Sequence, residues 1–329
     1  MIYTLIIYLL TIFFVFYIGS IFSYKLRLVD IPEKRKIHNK PTAYTGGLLI
    51  SLIYLFSLQL FQTFSLQLNL LISTSLMIAI VGFVDDKYHL NTGGKLSLQI
   101  LPVFYLIYIE NIALNDIGEY GFFTLELYSF SKMFTLLCVL FLINSFNYFD
   151  GIDGSLGFST LSVLFILYFI VPDEKIKQFI IIIALPIVFF LFFNFSLFKL
   201  PKLFLGDSGS LLLGFILSFL LIFLTNNIKI HPILLAWSVS IFVFEFLSTN
   251  IDRLLRKKNV FKAGLDHLHY KLLRSINSIF LTDIIIFLLN ISLFIIGYIS
   301  FYYVNPFFSL VTFILLFIIF FYFRGYFLK

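Results

Sequence analysis

Apolar residues run along this chain in blocks of about twenty, and polar residues collect almost entirely between the blocks. The blocks fall at 2–23, 46–62, 68–84, 96–109, 133–147, 155–171, 179–196, 209–224, 232–250, 282–303 and 307–323. A helix needs roughly 20 mostly apolar residues to cross about 30 Å of hydrocarbon, so the pattern predicts about eleven transmembrane helices. The block 96–109 is short and contains Pro102. No internal repeat, low-complexity linker or soluble domain interrupts the series. The expectation is one integral-membrane domain over 1–329, all-α and polytopic.

Composition agrees with this reading. Hydrophobic residues make up 60% of the chain and charged residues 12%, with a mean hydropathy of +1.03; soluble domains carry about 25% charged residues. The first block lacks the basic flank and small-residue cleavage site of a signal peptide, so it is read as the first span. The single Cys138 offers neither a disulfide nor a thiolate metal site. Of the 23 Lys and Arg, all but Lys132, Lys175, Lys177 and Lys229 fall on one set of alternate loops. Basic loops resist translocation, which puts that set in the cytoplasm, the N-terminus outside and the C-terminus inside. The net charge of +6 is then a topogenic signal and an attraction to anionic headgroups; no soluble basic domain exists to bind nucleic acid.

Six carboxylates were not part of that count, yet all fall on the same side: Asp85, Asp86, Asp150, Asp153, Asp207 and Asp266. Each lies at or beside the end of an apolar block. Adjacent Asp85 and Asp86 repel each other near a low-dielectric boundary, a cost that a divalent cation or a lysine relieves; an ordinary hydrated helix end is the plainer account. The stretch Asn144-Ser145-Phe146-Asn147-Tyr148-Phe149-Asp150-Gly151-Ile152-Asp153-Gly154 is more specific. Asn144 and Asn147 share a helical face, and Asp150 and Asp153 follow at the same three-residue step. Oxygen donors at that period suit a hard cation or a nucleotide. A capped polar turn explains the glycines but not an Asn pair inside an apolar helix. In Gly206-Asp207-Ser208-Gly209-Ser210, Asp207 or Ser208 can simply N-cap the next helix, or the small residues can leave room for a diphosphate at its N-terminus. In Asp266-His267-Leu268-His269-Tyr270 the i, i+2 histidines diverge if helical, which disfavours zinc chelation by both. Arg253 and Arg256 lie one helical turn apart, as a pair gripping phosphate would, although a topogenic basic loop accounts for their charges equally well.

Taken in order, LVDIPEKRKIHNKP followed by GG, then FVDDK, NYFDGIDG, FLGDSGS and HLH resemble the polyprenyl-phosphate N-acetylhexosamine-1-phosphate transferases over most of the chain. The resemblance implies a bacterial cytoplasmic-membrane enzyme with its site on the cytoplasmic face. It implies transfer of an N-acetylhexosamine-1-phosphate from a UDP-sugar to undecaprenyl phosphate, release of UMP, a requirement for Mg²⁺ or Mn²⁺, and initiation of a lipid-linked envelope glycan. It leaves room for a homodimer in the bilayer. By motif position, Asp207 and Asn147 would ligate the metal, and Asp85 and Asp86 would lie beside it and the lipid phosphate. Asp153 would face the uracil with Asp150 in support. His267, His269 and Arg253 would contact the donor's diphosphate or sugar, and Lys40 the nucleobase side. Two alternatives stand beside this. The branch acting on UDP-MurNAc-pentapeptide carries three adjacent histidines where this chain has HLHY. An ion-coupled transporter would place its charges near the midplane on broken helices rather than at span ends. Glu245 stands where the family often has Asp.

Overall fold

The computed structural model describes residues 2–32, 40–61, 64–260 and 264–326. The part of the first basic loop that holds Arg35, Lys36 and His38 lies outside the described residues.

A helix forms at each of the eleven apolar blocks. In chain order these are α1 (Ile2–Lys25), α2 (Gly46–Leu60), α3 (Leu66–Tyr88), α4 (Thr92–Phe104), α5 (Ser131–Asn147), α6 (Ser155–Ile170), α7 (Glu174–Asn194), α8 (Gly206–Ile228), α9 (Pro232–Ser238) with α10 (Ser240–Leu255), α12 (Ile279–Tyr303) and α13 (Pro306–Tyr326); a short helix, α11 (Leu268–Ile276), precedes α12. Among the described residues, eight helices are long and apolar enough to cross a bilayer, the α9–α10 pair adds a bent ninth candidate, and α2 and α6 are shorter apolar helices. The chain is therefore an all-α polytopic membrane protein. Two small antiparallel pairs accompany the helices: Val29–Asp30 with Thr42–Ala43, and Asp116–Glu119 with Thr124–Glu126.

Two blocks depart from straight helices, each for a visible reason. The block at 96–109 begins earlier, at Thr92, because the Asn91 side chain accepts the Gly94 N–H at 2.7 Å and caps the helix. Beyond Pro102, which cannot donate to the preceding turn, the helix widens into a π-turn over Tyr105–Ile109. The block at 232–250 is two helices bent by 73°. Asn290 of α12 enters the break: its Nδ2 donates to the Ser238 carbonyl at 2.9 Å, and its Oδ1 accepts the Ile241 N–H at 3.3 Å. Backbone groups freed inside hydrocarbon need such partners.

The centre of the bundle is α8, whose apolar stretch is 89% buried, against 6% for the peripheral α13. α3, α5 and α2 pack around α8. Small residues permit this approach. A Cβ on Gly82 of α3 would overlap the Asp207 carbonyl, so the two helices meet where the acidic motifs lie. Lipid-facing positions on α1, α12 and α13 carry exposed Phe, Ile and Leu.

Candidate active site

Helix ends and the turn after α5 meet at one end of the bundle around a cavity of about 1140 Å³. Asp85 and Asp86 come from the last turn of α3, Asp150 and Asp153 from the turn after α5, and Asp207 from the first turn of α8; all five line the cavity, as does Lys40.

Asp86 accepts the backbone N–H groups of Asp207 at 3.0 Å and Ser208 at 3.3 Å. It caps α8 from another helix, satisfying donors that have no intrahelical partner and meeting the positive end of the helix dipole. Of the two readings of this motif, capping of α8 by Asp207 or Ser208 is not the one seen: the helix opens at Gly206, whose φ of +73° and contact with the Tyr44 carbonyl and Asp86 exclude a side chain there.

The remaining groups form a connected cluster. Asn147 Nδ2 donates to Asp207 Oδ1 at 2.6 Å and to Ser210 Oγ at 2.8 Å. Lys95 Nζ lies 2.8 Å from Asp85 Oδ2 and 2.9 Å from Asp207 Oδ2, while Asp85 Oδ1 accepts the Leu90 N–H at 2.9 Å. The charge pattern reads Lys95 as a loop charge; it stands instead in the first turn of α4, with its ammonium between two carboxylates. The signal available was its place in the turn following the Asp pair. Asn144 does not join Asn147: its Nδ2 turns to Gln99 and the Leu140 carbonyl. Asp153 pairs with Lys202 at 2.5 Å, a second lysine that charge counting had assigned to topology alone.

The donor set suits a hard divalent cation. Carboxylate oxygens of Asp85 and Asp207 already converge on one positive charge; Asn147 meets Asp207 through its Nδ2, so it would offer its amide oxygen to a cation only after the amide turns over. Among the described residues no group of three His, Cys, Asp or Glu gathers closely enough to hold a metal, so the fit is to the two carboxylates of Asp85 and Asp207, the third acidic partner of sequence, Asp86, being occupied at the α8 terminus.

Asp150 has its carboxyl pushed up to about 7, first by burial and then by the neighbouring Asp207, with Lys95 acting the other way. A carboxyl whose native value lies above its unfolded one holds extra protons in the native state, so its contribution to stability falls as pH rises from about 4 to about 7. Asp150→Asn removes that loss. In EDTA, the variant's melting temperature is expected to gain on wild type between pH 5 and pH 8; a constant difference across that range contradicts the assignment.

The late histidine motif lies apart from this cavity. His267 is an extended residue preceding α11, so the two histidine rings do not diverge but run parallel, 9° apart at 5.7 Å. Both are buried, at 7% and 0% exposure, and neither lines the cavity. Burial, aided by His267, pushes His269 down to about 3, leaving it a neutral imidazole. Arg253 and Arg256 separate: Arg253 binds Asp266 through two nitrogens at 2.9 and 2.6 Å, whereas Arg256 pairs with Asp252 on its own helix. Arg253 lines a second cavity, of about 810 Å³, with Lys258, Lys271 and Arg274. The link from the motif to the main cavity is Tyr270, which lines it and donates to the Gly151 carbonyl at 2.8 Å.

A carboxylate–lysine–amide cluster gathers at the ends of several membrane helices, an arrangement suited to anionic substrates. Residues 68–225, running from α3 to α8 and including Asp85, Asp86, Asn147, Asp150, Asp153 and Asp207, match glycosyl transferase family 4. Over 278 residues the chain is 26% identical to an undecaprenyl-phosphate alpha-N-acetylglucosaminyl 1-phosphate transferase of Salmonella typhi, covering 82% of this chain and 75% of the relative. Proteins of the same name from Escherichia coli strain K12 and from Yersinia pestis are each 25% identical, with the same coverage. The family match and the relatives' names support the polyprenyl-phosphate hexosamine-1-phosphate transferase family.

Proposed function

We propose that the protein transfers an N-acetylhexosamine-1-phosphate from a UDP-sugar to undecaprenyl phosphate at the cytoplasmic face of a bacterial inner membrane, initiating a lipid-linked glycan. The observation that carries this reading is the junction of Asp85, Lys95, Asn147 and Asp207 at one end of the bundle, where both phosphates would have to meet. A GlcNAc-type donor is favoured over the MurNAc-pentapeptide by the HLHY string and by the names of the relatives. The bundle would hold its site inside, with eleven spans, the N-terminus outside and the whole chain as one domain.

The lipid phosphate oxygen attacks the β-phosphorus of the donor. The bond from that phosphorus to the bridging oxygen breaks, and UMP departs with the oxygen. The nucleophile is already an oxyanion near neutral pH, so a strong general base is not needed. What the reaction needs is compensation of negative charge gathered from two substrates. Asp207 and Asn147, with Asp85 beside them, would hold Mg²⁺, which when bound supplies that compensation. Lys95 then has a phosphate oxygen as its next partner once the carboxylates are neutralised. Asp86 keeps the α8 N-terminus and its dipole fixed at the site. Asp153, drawn to one wall of the cavity by Lys202, faces the nucleobase side, and Lys40 lines the same cavity. His267, His269 and Arg253 serve the donor from behind the wall, through the loop they shape.

Purified protein given undecaprenyl phosphate, Mg²⁺ and a panel of UDP-N-acetylhexosamines should release UMP with at least one donor. Folded protein that releases none with any donor contradicts the proposal. Glu126→Gln, on the exposed hairpin far from the cavity, should leave the rate unchanged.

A further inference from the structure

The buried Arg324–Glu245 pair has no part in the chemistry above, yet it meets the segment that touches the Asp150–Asp153 turn. Arg324, near the end of α13 and 2% exposed, donates through Nε to Glu245 Oε2 at 2.7 Å and through a terminal nitrogen to Glu245 Oε1 at 3.0 Å. The same guanidinium reaches Thr249 Oγ1 and the Asp266 carbonyl, each at 2.6 Å. Glu245, itself fully buried in α10, accepts the Leu268 N–H at 3.0 Å. Asp266 is thus gripped on its carbonyl by Arg324 and on its carboxylate by Arg253, which also binds the Val260 carbonyl at 2.9 Å. Lys271 Nζ closes the ring by donating to the Arg324 carbonyl at 2.9 Å.

Two consecutive contacts carry this framework to the active site. Tyr270 donates to the Gly151 carbonyl, and His269 occupies the space where a Gly151 Cβ would stand. Gly151 joins Asp150 to Asp153. A guanidinium fork satisfying a carboxylate, a hydroxyl and a carbonyl together fixes direction as well as charge, which an ammonium cannot do.

We infer that Arg324 and Glu245 are positioning residues: they lock residues 264–271 against the Asp150–Asp153 turn and so set donor binding, with α13 acting as a tether for the donor side of the site. This rests on the reading of that turn as the nucleotide side. Arg324→Lys keeps the charge and loses the fork. It is expected to raise KM for the UDP-sugar about ten-fold while kcat and KM for undecaprenyl phosphate change less than about two-fold, the scale on which small misplacements act. Tyr270→Phe cuts the same path at its other end and should give the same donor-specific rise; the double variant should be no worse than either single one, since both break one path. Wild-type donor KM in both variants overturns the inference, as does an equal rise in lipid KM. If Arg324→Lys does not fold, Tyr270→Phe alone decides. Should wild type release no UMP, the functional reading has failed instead, and hydrogen exchange decides the coupling: Arg324→Lys must then raise exchange in both 264–271 and 150–154, and a rise confined to the C-terminus refutes it.

Discussion

Asp207→Asn is expected to lower turnover about a thousand-fold, at the upper end of what removing one preorganised charge-stabilising group costs. The amide is nearly the same size, so the helix start and the Asp86 cap on the Asp207 N–H survive. What disappears is the charge that meets Lys95 on one oxygen and Asn147 on the other. Asn147 Nδ2 would then face either an amide oxygen or an amide nitrogen, and a cation would lose its strongest ligand. The loss should sit in kcat and in the Mg²⁺ concentration needed for half-maximal rate. A variant that needs no more Mg²⁺ than wild type would show that Asp207 is not the ligand.

Lys95→Met is expected to separate the two roles of the cluster. Without metal, the variant leaves Asp85 and Asp207 facing each other with their shared cation gone, and breaking a buried pair in this way costs about 3 kcal/mol. In EDTA its melting temperature should fall by several degrees. Mg²⁺ should restore most of that, because a divalent ion neutralises the same two carboxylates. Activity should remain at least about a hundred-fold down even at saturating Mg²⁺, since no ammonium is left for the phosphates. If Mg²⁺ fails to restore the melting temperature, the carboxylates beside Lys95 do not bind it.

Much of this molecule can be read from its sequence because the bilayer simplifies the problem: every apolar block must become a helix, and each did. The acidic motifs were equally legible, since carboxylates at span ends are conspicuous against apolar surroundings. What escaped was whatever depended on one helix completing another. Asp86 caps α8 from α3, so no local reading of GDSGS could find its cap. Lys95 and Lys202 were hidden by having the same residue type as the topogenic charges around them. The break at Val239 is held open by Asn290, about fifty positions later, and nothing in 232–250 announces it. The histidines misled for a local reason: His267 lies one residue outside the helix, so helical spacing did not apply.

Donor labelled with ³²P in its β-phosphate tests the central claim most directly. Incubated with the purified protein, undecaprenyl phosphate and Mg²⁺, the label should pass to the lipid fraction together with the sugar, and unlabelled UMP should appear in equal amount. Label retained in the water-soluble nucleotide as UDP, with sugar alone on the lipid, would contradict phosphosugar transfer at this acidic cluster.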